Sequence, residues 1–258
     1  MSDKTKDSVL QTGAVIIDND GAMVVREPDF AVMYGVPTGI KPVLAMLVLD
    51  RSGSMNTYGN QPLIALNELI QNLRVAEGAE RTWAGIITFA GDVREDAKPV
   101  PATELEDRTS YVANGSTALF KAVITALNKC FEFKKFAKNR DGLEAEVVVA
   151  VISDGGETDN YELQPEVIKL SEEARKQGFK LQVVGIGINA MQLSQQLGFT
   201  PGLAVTVEPT RQGVSRATRS VTQTFSQTMM GFGGRRERAA SSPPPSRTGT
   251  GPISSSRP

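Results

Sequence analysis

The sequence predicts an α/β fold: a doubly wound, mostly parallel six-stranded sheet with helices on both faces, Rossmann-like in layout. Three observations carry this. Short runs dominated by apolar residues, as strands buried on both faces show, recur at residues 43–49, 83–89, 147–152 and 181–187. Segments with apolar residues at helical spacing separate them, and such alternation of strand and helix is the signature of a doubly wound sheet. Two of the runs stop abruptly at an acid, Asp50 and Asp154. Open α/β sheets bind their ligands at strand carboxyl ends of this kind.

In chain order, residues 1–40 read as an extension ahead of a main domain spanning 41–230. Apolar runs at 14–17 and 22–25 flank Asp18-Asn19-Asp20-Gly21, a hairpin pattern whose glycine tolerates positive φ. The further acid and distal Glu of an EF-hand calcium loop do not follow. Residues 26–42 carry several Pro and Gly and read as a linker or edge. The first core strand, 43–49, is bounded by Pro42 and Asp50. Asn60 and Pro62 then open a helix with Leu63, Leu66, Leu69, Ile70 and Leu73 as its inner stripe. WAGIITF at 83–89 is a second buried strand, and residues 93–100, broken by charges and Pro99, suit a sheet edge.

Asn114-Gly115-Ser116-Thr117 is expected to start the next helix, with Leu119, Ala122, Val123, Ala126, Leu127 and Cys130 facing inward. The charged stretch FEFKKFAKNRDGLEAE follows, its Phe131, Phe133 and Phe136 interleaved with basic residues. Glu132, Asp141, Glu144 and Glu146 dilute the positive field, so a solvated helix end with partly buried rings is expected there and no nucleic-acid surface. VVVAVI at 147–152 runs into Ser153-Asp154-Gly155-Gly156, and Pro165 and Gly178 bracket a helix with Val167, Leu170 and Ala174 inward. Strands at 181–187 and 204–207 follow. Val214, Ala217, Val221, Phe225 and Met229 mark a final helix. Residues 231–258 shift to Pro, Ser, Gly and Arg, a composition expected to be disordered; they hold five Arg and one Glu, against 23 basic and 28 acidic residues elsewhere.

Composition excludes several classes of function. A chain of 258 residues with 40% hydrophobic content can build one sizeable core. No apolar run approaches the ~20 residues of a membrane span, and MSDKTKDSVL at the start lacks the apolar segment of a secretory signal, so a cytoplasmic protein without membrane contact is expected. Cys130 is the sole cysteine, which rules out an internal disulfide. Histidine is absent, which removes Ser-His-Asp chemistry, His-ligated zinc and the usual general base.

The chemistry therefore rests on oxygen. Asp50, Ser52 and Ser54 alternate along a tight turn, so their oxygens can face one side together, and a hard cation such as Mg²⁺ favours that set, with Mn²⁺ or Ca²⁺ as substitutes. Asp154 supplies a second acid at a second strand end. One rival signal stands beside it: residues 185–190, GIGINA, fit G-x-G-x-x-[GA] between a strand and a helix, and Glu208 lies near the position of a ribose-binding acid. That segment comes too late in the chain for the usual pair of mononucleotide-binding halves.

Asp50-Arg51-Ser52-Gly53-Ser54, Thr117 in NGSTALFKA and Asp154 in VISDGGETD together resemble the complete metal-ion-dependent adhesion site of a von Willebrand factor type A domain, over about residues 41–230. LDRSGSM and SDGGETD are most similar to bacterial intracellular members, including those encoded beside tellurite-resistance genes. The resemblance implies that Asp50, Ser52 and Ser54 hold Mg²⁺ directly or through water. Thr117 would join in the ligand-engaged state, and Asp154 would bind mostly through water. It also implies a non-enzymatic adaptor whose protein partner supplies an Asp or Glu to the ion, acting alongside an AAA+ ATPase, kinase or phosphatase. The loops at 55–60, 91–92 and 157–160 are expected to supply further partner contacts. Taken singly, a Ser or Thr after a strand is usually a helix cap, and Ser116 is placed to be one. A metal-dependent phosphoryl hydrolase using Asp50 is the enzymatic alternative, but no base, Walker loop or lysine cradle for phosphate accompanies it.

Overall fold

The computed structural model describes residues 41–231 together with two short strands, β1 (Val15–Ile17) and β2 (Met23–Val25). These two strands pair antiparallel, Val15 opposite Val25. The expected linker up to residue 40 and all of the expected disordered tail except Gly231 lie outside the described residues.

The main sheet has six strands: β3 (Val43–Asp50), β4 (Thr82–Phe89), β5 (Val93–Pro101), β6 (Glu146–Ser153), β7 (Lys180–Ile186) and β8 (Ala204–Val207). Their spatial order is β5-β4-β3-β6-β7-β8. Every pairing is parallel except β4 with β5. The exception follows from chain length, because three residues between Phe89 and Val93 permit a hairpin and no crossover. As expected, β5 is an edge strand; its charges and its two prolines discourage further pairing.

Among the described residues five α-helices cover the sheet: α1 (Gln61–Val75), α2 (Leu119–Asp141), α3 (Gln164–Lys176), α4 (Ala190–Gln196) and α5 (Arg211–Met230). The two-residue period of a strand sends alternate side chains to opposite layers. On β3, Leu44, Met46 and Val48 join the cluster containing residues of α2, α3 and α4, whereas Val43, Ala45, Leu47 and Leu49 join the cluster containing residues of α1 and α5. All eight β3 residues are buried, which is why the run has no polar alternation.

The helices differ from expectation in detail. Ala65 takes a buried place in α1 while Leu63 is only half-buried, because the inner stripe is centred on Ala65, Leu66, Leu69, Ile70 and Leu73. α2 begins at Leu119, beyond the Asn-Gly-Ser-Thr run, and extends to Asp141. The charged stretch is, as expected, a helix end with partly buried rings: up to Asp141 it belongs to α2, with Phe133 buried and Phe131 and Phe136 half-buried. Among the described residues no helix is long and apolar enough to cross a membrane.

Strand order positions the site. From β3 the chain moves outward through β4 and β5, then returns to the other flank of β3 with β6 and continues to β7 and β8. The carboxyl ends of β3 and β6 therefore flank the point where the winding reverses, and a crevice opens at such a switch point. Asp50 ends β3, and Asp154 directly follows β6.

Candidate metal centre

Asp50 is fully buried, so its oxygens need partners from the surrounding turns. Its Oδ1 accepts the Ser52 backbone N–H at 2.7 Å, and its Oδ2 accepts the Ser153 hydroxyl. Burial pushes its carboxyl up to about 6; the Ser153 and Ser52 bonds oppose the shift, and the Asp154 charge adds to it. Ser52 Oγ lies 3.1 Å from Ser54 Oγ, and the Ser54 hydroxyl donates to Asp154 Oδ1 at 2.6 Å. Asp154 is likewise raised, chiefly by burial. Two acids from different strands and two serines thus form one hydrogen-bonded cluster at the switch point.

Thr117 reaches the same edge through the backbone. The Gly53 N–H donates to Gly115 O at 2.9 Å and the Asn114 N–H to Arg51 O at 2.9 Å, pinning the loop before α2 against the Asp50 turn. Across the cleft, the Thr117 N–H donates to Thr158 Oγ1 at 2.8 Å, and the Thr158 N–H donates to Thr117 O at 3.0 Å. Thr117 itself is buried. Its position is therefore set by the loops after both acid-bearing strands.

Several residues of this region carry no motif of their own. Arg51, between Asp50 and Ser52, is 4% exposed and pairs with Asp92. The Tyr111 hydroxyl donates to the Asp50 backbone carbonyl, and burial raises its phenol, with the Asp50 charge adding to the shift. Tyr58 is buried near Asp154, and burial followed by the Asp154 charge raises its phenol. Ser153, read from the sequence as the residue following a strand, is the last residue of β6 and donates to Asp50. Ser116 does not cap α2; its hydroxyl donates to Asp159. Met55, Tyr58 and Glu157, expected in partner-contact loops, are buried, whereas Asn56, Thr57, Asn60, Asp92, Thr158 and Asp159 offer exposed side chains.

The donors fit a hard divalent cation. A buried and a half-buried carboxylate, Asp50 and Asp154, both with raised proton affinity, are a pair that a cation would relieve, and the hydroxyls add neutral oxygens. Among the described residues no group of three or more His, Cys, Asp or Glu is placed to hold a metal, so any ion at this edge depends on serine and threonine.

The glycines of the rival dinucleotide motif are explained by packing. A Cβ on Gly185 would stand 2.8 Å from the Ile188 carbonyl oxygen, and one on Gly187, at φ +71°, would stand 2.7 Å from Pro209 Cβ. Asn189 Oδ1 accepts the Met191 and Gln192 N–H groups, and Thr206 Oγ1 accepts that of Ala190, so the start of α4 is satisfied internally. Glu208 pairs with Arg216. The chain's own atoms fill the space that a pyrophosphate would need.

Sheet and cluster together define an open α/β binding domain with an oxygen-only site at its switch point. The chain belongs to the von Willebrand factor type A domain family, whose model matches residues 46–217. Domains of this family generally mediate metal-dependent protein–protein interaction through a divalent ion. Among solved structures, the chain is similar to the open conformation of the pilus adhesin SpaC from Lactobacillus rhamnosus GG, with TM-score 0.57 and 14% identity over 76% of this chain and 31% of that one. It is also similar to proximal thread matrix protein 1 from the mussel byssus, with TM-score 0.50 and 15% identity over 72% and 48%. A D319A mutant of the PilB minor pilin from Streptococcus sanguinis gives TM-score 0.50 and 10% identity over 77% and 64%. At these identities the likeness concerns the fold, and the chain spans less than two thirds of each of these proteins. No curated protein matches the sequence.

Proposed function

We propose that this chain is a protein-binding module rather than an enzyme, recognising its partner through a metal ion. Asp50, Ser52, Ser54, Thr117 and Asp154 would hold Mg²⁺, or Mn²⁺ or Ca²⁺ in its place, and an Asp or Glu of the partner would complete the shell. When bound, the ion supplies a positive point that a carboxylate can reach. The observation that carries the reading is the linked cluster of Asp50, Ser52, Ser54 and Asp154 at the switch point, with Thr117 hydrogen-bonded to the neighbouring loop. With two carboxylates among five donors, a divalent ion retains room for one more anionic oxygen, since Mg²⁺ favours six in octahedral array. We further propose a cytoplasmic bacterial adaptor working beside an AAA+ ATPase, kinase or phosphatase. LDRSGSM and SDGGETD support that placement.

Calorimetric titration with Mg²⁺ tests the site: the native chain is expected to bind one ion and Asp50→Ala none. Unchanged affinity in the variant would overturn the assignment. A pull-down from bacterial lysate with and without chelator, repeated with Thr117→Ala, tests the function. Partners retained equally in every arm would place binding elsewhere.

A further inference from the structure

Glu157 is a carboxylate with 4% exposure, and its hydrogen bonds explain its burial. Oε1 accepts three consecutive backbone N–H groups, from Thr158 at 3.0 Å, Asp159 at 2.8 Å and Asn160 at 3.0 Å. Oε2 accepts the Phe120 N–H at 2.6 Å. Phe120 stands in the first turn of α2, where N–H groups lack helical acceptors and a negative charge is favoured. α2 has no side-chain cap of its own, so this distant carboxylate does the capping. The next two residues continue the contact in order: Thr158 bonds Thr117 through the backbone and its hydroxyl, and Asp159 accepts the Ser116 hydroxyl. Three consecutive residues of the Asp154 loop therefore grip Phe120, Thr117 and Ser116 in turn.

We infer that Glu157 is the positioning residue of the metal site: it fastens the Asp154 loop to the start of α2, so that Asp154 and Thr117 are presented to the ion as one unit. This rests on the metal reading above and adds to it how the site is controlled. A shift of Thr117 toward or away from the ion must carry the Asp154 loop and α2 with it. The chemistry requires a carboxylate of this length. Gln retains one acceptor oxygen, and its NH₂ would face either Phe120 N–H or the three loop N–H groups, donor against donor. Asp is one methylene shorter and cannot reach both clusters.

The test is Mg²⁺ titration of the full chain and of Glu157→Gln, with amide exchange recorded on the metal-free proteins. Glu157→Gln is expected to weaken Mg²⁺ binding at least tenfold, as loss of a group that orients metal ligands commonly does. Amide protection at Thr117 and Phe120 should fall in the metal-free variant. In a double-mutant cycle with Thr117→Ala, the two losses should be less than additive, because one acts through the other. A core variant matched in melting temperature, such as Val183→Ala on β7, should keep native affinity. If Glu157→Gln does not fold, Thr158→Val removes one rung alone and should shift affinity in the same direction by a smaller factor. Affinity within twofold of native in these variants, or no lower than in the matched core variant, would overturn the proposal. If the native chain bound no Mg²⁺, the metal reading would fall; exchange at Thr117 and Phe120 would still judge the fastening, and unchanged protection in Glu157→Gln would overturn it.

Discussion

Asp50 combines full burial with a carboxyl raised to about 6, and the sign of its effect on stability follows. An acid whose folded pKa lies above its ordinary value binds its proton more tightly in the folded state. That contribution is fully present below the ordinary value near 3.8 and is lost as pH rises through the folded value. The metal-free protein is therefore expected to lose melting temperature between about pH 4 and 6, opposite to a carboxylate held by a salt bridge. Saturating Mg²⁺ should flatten the profile, since the ion favours the charged form. Thermal melts across this range, with Mg²⁺ and with chelator, check both statements, and Asp50→Asn should reduce the slope, leaving the share of Asp154, whose carboxyl is raised as well. Of the residues around Asp50, Ser52 and Ser54 are legible from a local motif. Tyr111 is not, because it meets Asp50 across 61 positions and sits in a loop without pattern.

At the scale of elements, side-chain caps hold α4 and α5, the last two helices, whereas α1 and α2 beside the site have none of their own. Thr210 caps α5 by accepting the Gly213 N–H at 3.0 Å, and Asn189 caps α4. Gly187, between β7 and α4, combines φ +71° with the approach of Pro209, so both backbone strain and overlap meet any side chain placed there. Gly187→Ala is expected to cost about 1–3 kcal/mol in urea denaturation, the range for a strained backbone position, and to leave Mg²⁺ affinity unchanged. Unchanged stability would return this glycine to a ligand-binding explanation. The start of α2 shows where local reading stops. Asn-Gly-Ser-Thr has the composition of a helix start, yet Ala118 donates to Ala90 O and Phe120 to Glu157, so tertiary partners set the first turn at Leu119.

For the whole molecule, two helix layers bury both faces of β3, β4 and β6 at the centre of the sheet, a core sufficient without a metal. A ligand that binds only the folded state adds RT ln(1 + [L]/Kd), about 2.7 kcal/mol at a hundredfold excess over Kd. Mg²⁺ at that excess should thus raise the melting temperature by several degrees, and chelation should lower it reversibly. Scanning calorimetry in the two conditions checks this. Unfolding at room temperature in chelator would show a structural ion instead.

What the sequence determined by itself is the set of elements and the two ends at which chemistry gathers. Apolar runs such as 43–49 and 147–152 suit strands buried on both sides, and the acids that follow them mark the sheet edge. Asp50, Ser52 and Ser54 are readable because they share one turn. The tertiary structure decided what distant segments do to one another: which strand reverses direction, that Ser153 and Tyr111 close on Asp50, that the GIGINA glycines serve packing, and that Glu157 spans to α2. Those outcomes depend on close approach between residues far apart in the chain. Local periodicity and motif spacing hold no information about such approach until the sheet order is known.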